Sequence, residues 1–510
     1  MNDCSTERLL FEDIQGKKIE VDFDGGQVTS DAGVLLLREV EHRLGLIRRV
    51  AKIIHDRRHP GYTRHSIREM LSQRVFQIAC GYEDADDADT LRSDPAFKMA
   101  CERLPDGEAL ASQPTLSRLE NAVTRTDLYR LAEVLVEAFI DSYRTPPVAI
   151  LLDIDDTEDT THGHQQMALF NAFYDEYCYL PIHIYEGRSG KLITTVLRPG
   201  KRPSGKEIVA ILKRIVRKIR KAWPEVGILL RGDSHYASPE VFTFCRAENL
   251  KYLLGLTPNP VLRGHAAALV AAAERRFRQE RTPVRDFGEF LYRAKSWAED
   301  QRVVVKAEHN ALGPNTRFVV TNLVTQTPRV IYEKFYCDRG TMELLIKDHK
   351  THLRSDRTSC HRFEANQFRL FLHSMAYILT HTLRRRHLQG TPWARAQFDT
   401  IRLQVLKIGA RVRQLRTRVK MHLPTSYPWQ GEWRKAFASC RASPSSRRDH
   451  DWTLMVLRAM SISNSKRGRP RRRHKARTAA KKRRACPDTP KSLTCRHDAK
   501  RACVLRFFMN

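Results

Sequence analysis

The sequence predicts an α/β protein, and two observations carry that prediction. Apolar residues at three-four spacing dominate the first part of the chain, and after Pro146-Pro147 short apolar runs begin to alternate with helical segments. The first texture buries one stripe of a helix, whereas the second builds a sheet covered by helices.

Residues 1–145 open on a strand-like stretch, KKIEVDFDGGQVTSDAG. They continue as helices in AGVLLLREVEHRLGLIRRVAKII, TRHSIREMLSQRVFQIACGY and TRTDLYRLAEVLVEAFIDSY. From 146 come an apolar run, VAILLDID, an aromatic-rich strand, YCYLPIHIYEG, a turn at Arg188–Gly190 and a third strand, KLITTVLR. The helix SGKEIVAILKRIVRKIRKAW, the strand VGILLRGD, the helix SPEVFTFCRAENL and the strand KYLLGL follow. Three strands, helix, strand, helix, strand is the order of a ribonuclease-H-like core. After Pro258 the strands GEFLYRAKSW, QRVVVKAEHN and TRFVVTNL predict a β-rich insertion over about 258–328. A helix starts near Pro328, and the amphipathic NQFRLFLHSMAYILTHTLRRR comes after it. The expected organisation is a mainly helical N-terminal region, 1–145, an α/β domain, 146–443, and a basic tail, 444–510.

With 89 Lys+Arg against 58 Asp+Glu, the 510-residue chain carries a formal charge of +31. Such an excess points to a polyanionic partner, nucleic acid before an anionic membrane surface. No run approaches the roughly 18 apolar residues of a membrane span, and MNDCSTERLLFED lacks the regions of a signal peptide. A cytoplasmic location is expected. Eleven cysteines without a C-x-x-C pair read as reduced thiols, and the spacing of Cys486, Cys495, His497 and Cys503 fits no standard zinc finger. The tail stretch KRGRPRRRHKARTAAKKRR has almost nothing to bury and reads as disordered, suited to salt-sensitive phosphate contacts.

Chemistry gathers at two strand ends. VAILLDIDDTEDT terminates in Asp153, Asp155 and Asp156, and GILLRGDSHYAS in Asp233. Alternation puts Asp153 and Asp155 on one side of a strand and Asp156 on the other. If the two strands are neighbours, the acids converge beyond the carboxyl edge of the sheet. Clustered carboxylates raise one another's pKa, and divalent metal resolves the conflict. Two Mg²⁺ ions on so sparse a set of acids, completed by water and substrate phosphates, suit in-line phosphoryl displacement. Laid on an α-helix, Tyr336, Arg339, Glu343 and Lys350 of YCDRGTMELLIKDHK share one face. Glu343 would complete the cluster there, with Arg339 and Lys350 turned to phosphates and Tyr336 at the edge of the DNA. A solvated face with an ordinary i,i+4 Arg–Glu pair is the plain structural alternative.

The spacing Y-x2-R-x3-E-x6-K, met by Tyr336, Arg339, Glu343 and Lys350, resembles the signature of bacterial insertion-sequence DDE transposases of the IS-four-like lineage. GYEDADDADTLRSDPAFK, SQPTLSRLENAV, LDIDDTEDTTHGHQQ with YLPIHIYEG, and LRGDSHYA resemble the group-one DDE transposases of the IS-thirteen-eighty family, over about Gln27 to Ser443. The resemblance implies a ribonuclease-H-like catalytic domain with a β-rich insertion between its second aspartate and its glutamate. It maps the first acid onto Asp155, two before Thr157, with Asp153 as the alternative, the second onto Asp233 and the third onto Glu343. It further implies Mg²⁺, with Mn²⁺ as a substitute, and terminal inverted repeats and target DNA as partners. A homo-oligomer would pair the two ends, with no nucleotide cofactor. The tail after Ser443 lies outside the resemblance. A hydrolytic nuclease of the same fold and an inactive DNA-binding remnant are the alternative functions.

Other signals are weaker. GKRPSGKE nearly spells a P-loop, but Glu207 replaces the Mg²⁺-binding hydroxyl and Pro203 removes an N–H from the cradle. His162 and His164 of THGHQQ are too few for a zinc site by themselves. SQPTLSRLENAV, with Arg118 projecting, reads equally as a DNA-recognition helix or as a helix packed on the core.

Overall fold

A computed structural model describes residues 9–442 of the protein. The basic tail and its cysteine-histidine set lie outside the described residues. An antiparallel hairpin of β1 (Leu9–Ile14) and β2 (Lys17–Val21) comes first. The helical region contains α1 (Ile67–Ala79), α2 (Gln113–Ala122) and α3 (Arg125–Asp141). Next come β3 (Ala149–Asp156), β4 (Ile182–Glu186), β5 (Lys191–Val196), α4 (Gly205–Ala222), β6 (Gly227–Gly232), α5 (Pro239–Ala247) and β7 (Lys251–Leu256). They are followed by α6 (Pro260–Glu280), β8 (Val284–Tyr292), β9 (Gln301–Asn310), β10 (Gly313–Thr321), α7 (Gly340–Lys347) and α8 (Phe363–Thr382).

One mixed sheet of eight strands runs β8-β9-β10-β7-β6-β3-β4-β5. Strands β3, β6 and β7 are parallel, and β4 and β5 continue antiparallel on the β3 side. The five core strands thus have the order and directions of a ribonuclease-H-like sheet. The inserted strands β8 to β10 extend the same sheet through the antiparallel β7–β10 pair. The insertion carries the expected strands but begins with a 21-residue helix, α6, that the strand-rich pattern did not predict. Its PVLRGHAAALVAAAERRFRQE is rich in alanine, the best helix former, and Asn259 caps it by accepting the N–H of Leu262 at 2.9 Å.

The sheet's two faces divide the residues of β3. Ile150, Leu152 and Ile154 pack with Ile208, Ile211 and Val241 of α4 and α5. Ala149 and Leu151 pack on the other face with Ile331 and Phe335, which precede α7. Asp153 and Asp155 continue the second set and Asp156 the first. The segment around α7 is not the uniform α-helix assumed in laying four polar residues on one face. Wide π turns at Ile331–Tyr336 and Asp348–His352 and a tight 3₁₀ turn at Cys337–Arg339 interrupt it. Each changes the angle per residue, so an even 100° step does not carry from Tyr336 to Lys350.

Helices of the N-terminal region share a core with α8: Phe76 and Ile78 of α1, Leu116 of α2, Leu131 of α3 and Phe371 and Leu372 of α8 belong to one cluster. A buried polar strut runs through it. Arg74 of α1 donates to Glu120 of α2 at 3.0 Å, and Arg369 of α8 lies 3.7 Å from the other oxygen of Glu120.

Candidate active site

The sheet register brings two of the expected acids together. Ile154 of β3 lies beside Gly232 of β6, so Asp155 and Asp233 leave adjacent parallel strands at the same carboxyl edge. Asp233 caps a 3₁₀ turn, Ser234–Tyr236, its Oδ1 accepting the N–H of His235 at 2.8 Å. Gly255 of β7 makes room for this turn. A Cβ there would stand 2.7 Å from the hydroxyl of Tyr336, 3.0 Å from the nitrogen of Ser234 and 3.2 Å from the carbonyl carbon of Asp233.

Arg339 reaches the first acid, its Nη2 lying 2.6 Å from Asp155 Oδ2. Burial nevertheless pushes the Asp155 carboxyl up to about 7; Arg339 pulls it down, while Asp233 and Asp156 push it up again. For Asp156 burial also opposes the charge, but His235 and the hydroxyl of Tyr236, donating at 2.8 Å, outweigh it and hold the carboxyl below its usual range. Tyr336 is shifted upward by burial, opposed by Arg339 and reinforced by Asp233 and Asp155, so its phenol keeps its proton.

Asp153, the alternative first acid, lies beneath the site with no exposed surface. Arg231 of β6 takes both its oxygens, Nε to Oδ1 and Nη2 to Oδ2 each at 2.6 Å, and also donates to the carbonyl of Phe335. The pair therefore fastens the segment before α7 to the sheet. Gly187 permits it, since a Cβ at that position would come within 2.1 Å of Asp153 Oδ2. Lys350 donates to Glu158 Oε2 at 2.8 Å and to the carbonyl of Glu158, and so secures the loop that follows Asp155.

Glu343 is exposed on α7 and does not join the two aspartates: among the described residues no three His, Cys, Asp or Glu side chains form a group that could hold a metal ion. The exposed His162 and His164 accordingly belong to no such group. The oxygen donors of Asp155 and Asp233 fit a hard divalent cation that keeps water and phosphate ligands, and their mutual repulsion gives such a cation something to neutralise. Arg118 is exposed on α2, whose Leu116, Leu119 and Glu120 are buried in the core. In GKRPSGKE, Ser204 caps α4 through a reciprocal box with Glu207, so the N–H groups of Ser204 and Glu207 are already engaged.

Several residues around the acids escaped the sequence reading. The arginine in GILLRGD is one whose signal was available, because a charge inside a buried strand needs a buried partner. Arg202 donates to the carbonyls of Ser234 and His235 at 3.0 and 3.3 Å, fastening the loop before α4 to the turn that Asp233 caps. No local pattern announces that contact.

No curated protein matches the chain. Among solved structures, it is similar to the piggyBac transposase in a synaptic complex with hairpin DNA, determined by cryo-EM. The identity is 10%, the TM-score 0.40, and the match covers 86% of this chain and 87% of that one. No described helix is long and apolar enough to cross a membrane. Residues 11–445 match the family described as transposase DDE domain group 1. The chain therefore belongs to the group-one DDE transposases and is an enzyme of cut-and-paste DNA transposition, cleaving DNA and transferring the cut strand.

Proposed function

We propose that Asp155 and Asp233 hold the reaction's metal ions, with Glu343 as the third acid, and that the chain moves a bacterial insertion sequence of the IS-thirteen-eighty kind. The observation that carries this reading is the departure of two aspartates from adjacent parallel strands, in each other's electrostatic field, with Arg339 on one of them. Enzymes of this family use divalent metal ions; here the ions would be a pair of Mg²⁺, with Mn²⁺ as a substitute. Bound there, they would activate the attacking oxygen and stabilise the leaving one.

The chain's own residues prepare that event. To hold a cation, Asp155 would give up the proton that burial favours on it, and the Arg339 guanidinium, no longer its only counter-charge, would turn to a phosphate oxygen. Tyr336, still protonated, donates a hydrogen bond to the strand. Lys350 positions the flanking strand through the loop it holds at Glu158, and Glu343, one turn beyond Arg339 and apart from the two aspartates in the metal-free chain, would have to move toward them to complete the site from α7. Arg118 contributes to end recognition by residues 1–145, whereas residues 146–443 carry the chemistry. Water adds to phosphorus at the element's end as the P–O3′ bond breaks, leaving a 3′-hydroxyl on one side of the break and a 5′-phosphate on the other. That hydroxyl then attacks a target phosphodiester, forming one P–O bond as another breaks, so no nucleotide cofactor is needed. Two copies pair the terminal inverted repeats, in the cytoplasm beside the nucleoid.

The exposed position of Glu343 favours a second reading, an inactive DNA-binding relative. Mobilisation of a marker flanked by the DNA ends adjoining the gene separates the two, using the intact chain, Glu343→Gln and a truncation after Ser443. Movement that depends on Glu343 supports transposition, and cutting without rejoining identifies a hydrolytic nuclease. End binding without cutting identifies the inactive relative.

A further inference from the structure

The hairpin that opens the described chain has an uncovered apolar face. Its register pairs Leu9 with Val21 and Phe11 with Ile19, so these four side chains stand on one side, while the paired Leu10 and Glu20 stand on the other. Leu9 is 49%, Phe11 61% and Val21 41% exposed, and Phe23 just beyond is 96% exposed. A two-stranded hairpin is marginal in water unless something covers its apolar side. It is also acidic in a basic protein, with Glu12, Asp13, Glu20, Asp22 and Asp24 against Lys17 and Lys18.

A surface of complementary character lies elsewhere on the same chain. A cleft of about 240 Å³ opens where α3 and α4 meet β5, the outermost strand of the sheet. Buried Val136, Ile211 and Ile215 line it, together with Thr194, which is 3% exposed and whose hydroxyl has no hydrogen-bond partner. On its rim, Lys218 pairs with Glu137 at 2.6 Å and lies 3.8 Å from Glu133, the one carboxylate in the lining, whereas exposed Arg217 and Lys221 make no ion pair with a described carboxylate. The volume is small for a drug-sized ligand but suits an anchoring side chain.

We infer that the 9–23 hairpin of one copy docks in the α3–α4 cleft of a second copy, Phe11 or Phe23 filling it and the arm's carboxylates meeting Arg217 and Lys221. This deepens the proposed pairing of two copies and rests on it. Charge selects the partner surface: two hairpins packed face to face would set carboxylates against carboxylates, whereas the cleft offers cations around an apolar floor. Exchange of arms about a two-fold axis gives two equivalent contacts and closes the assembly as a dimer.

The test uses the full chain without DNA. Sedimentation equilibrium should find a dimer weakened at least tenfold by Glu12→Lys with Asp13→Lys, and equally by Arg217→Glu with Lys221→Glu. Combining the four substitutions should restore it, which also shows that the variants fold. A photo-cross-linking phenylalanine analogue at position 11 should join residues 211–221 of a differently tagged copy. Unchanged self-association in the single reversals, a monomer at every concentration, or cross-links confined to the same chain or to another surface would overturn the inference. Metal-dependent cleavage of end DNA by the same proteins reports separately on the DDE chemistry, so failure of one reading is distinguishable from failure of the other.

Discussion

At Asp155, burial and two neighbouring carboxylates outweigh a guanidinium 2.6 Å away, and the carboxyl ionises only near pH 7. Its folded pKa lies above the unfolded value near 3.8, so its contribution to metal-free stability is complete below about pH 4 and is lost as pH rises toward 7. Asp155→Asn should therefore leave stability unchanged at pH 4 and raise it at pH 8 by up to about 4 kcal/mol, read by chemical denaturation. Metal affinity should fall about tenfold per pH unit on acidification below 7, measured by Mn²⁺ titration. Asp153 obeys a different logic: its carboxylate is buried and fully engaged by Arg231. Arg231→Met leaves that charge unpaired and should cost about 3–5 kcal/mol in the same denaturation experiment. Strand alternation put Asp153 and Asp155 on one side in the sequence, and pattern could not say which of them faced solvent. The buried arginine two residues before Asp233 was the available clue.

At the scale of elements, register places the acids and close approach shapes their loops. Gly255→Ala would set a Cβ against the Tyr336 hydroxyl and the backbone of the Asp233 turn. Cleavage should fall at least tenfold in a kinetic assay while Tm changes by only a few degrees, because the strain falls on the turn rather than on the core. The order of the five core strands was legible because each is an apolar run bounded by turn residues or a helix cap. The face of the 336–350 segment was less so, since π and 3₁₀ turns depend on packing that no periodicity records. Helix α6 was overlooked because the strands after it drew the whole insertion into one texture, although its alanines favoured a helix.

For the whole molecule, one apolar cluster joins the N-terminal helices to α8, with the Arg74–Glu120–Arg369 strut inside it. Residues 1–145 expressed alone should lack a cooperative thermal transition, whereas residues 1–443 should unfold cooperatively in calorimetry. In the sequence, SQPTLSRLENAV read equally as a DNA-recognition helix or as a helix packed on the core, because an apolar stripe does not name the element that covers it. The catalytic proposal spans the same distance, from strand ends near 155 and 233 to α7. Its most direct test is the rate of Mg²⁺-dependent cleavage of end DNA by the purified protein and by Asp155→Asn, Asp233→Asn and Glu343→Gln, at DNA concentrations that saturate binding. Each variant should lose at least a thousandfold in cleavage rate, with end binding retained. Wild-type cleavage by either aspartate variant would contradict the proposal.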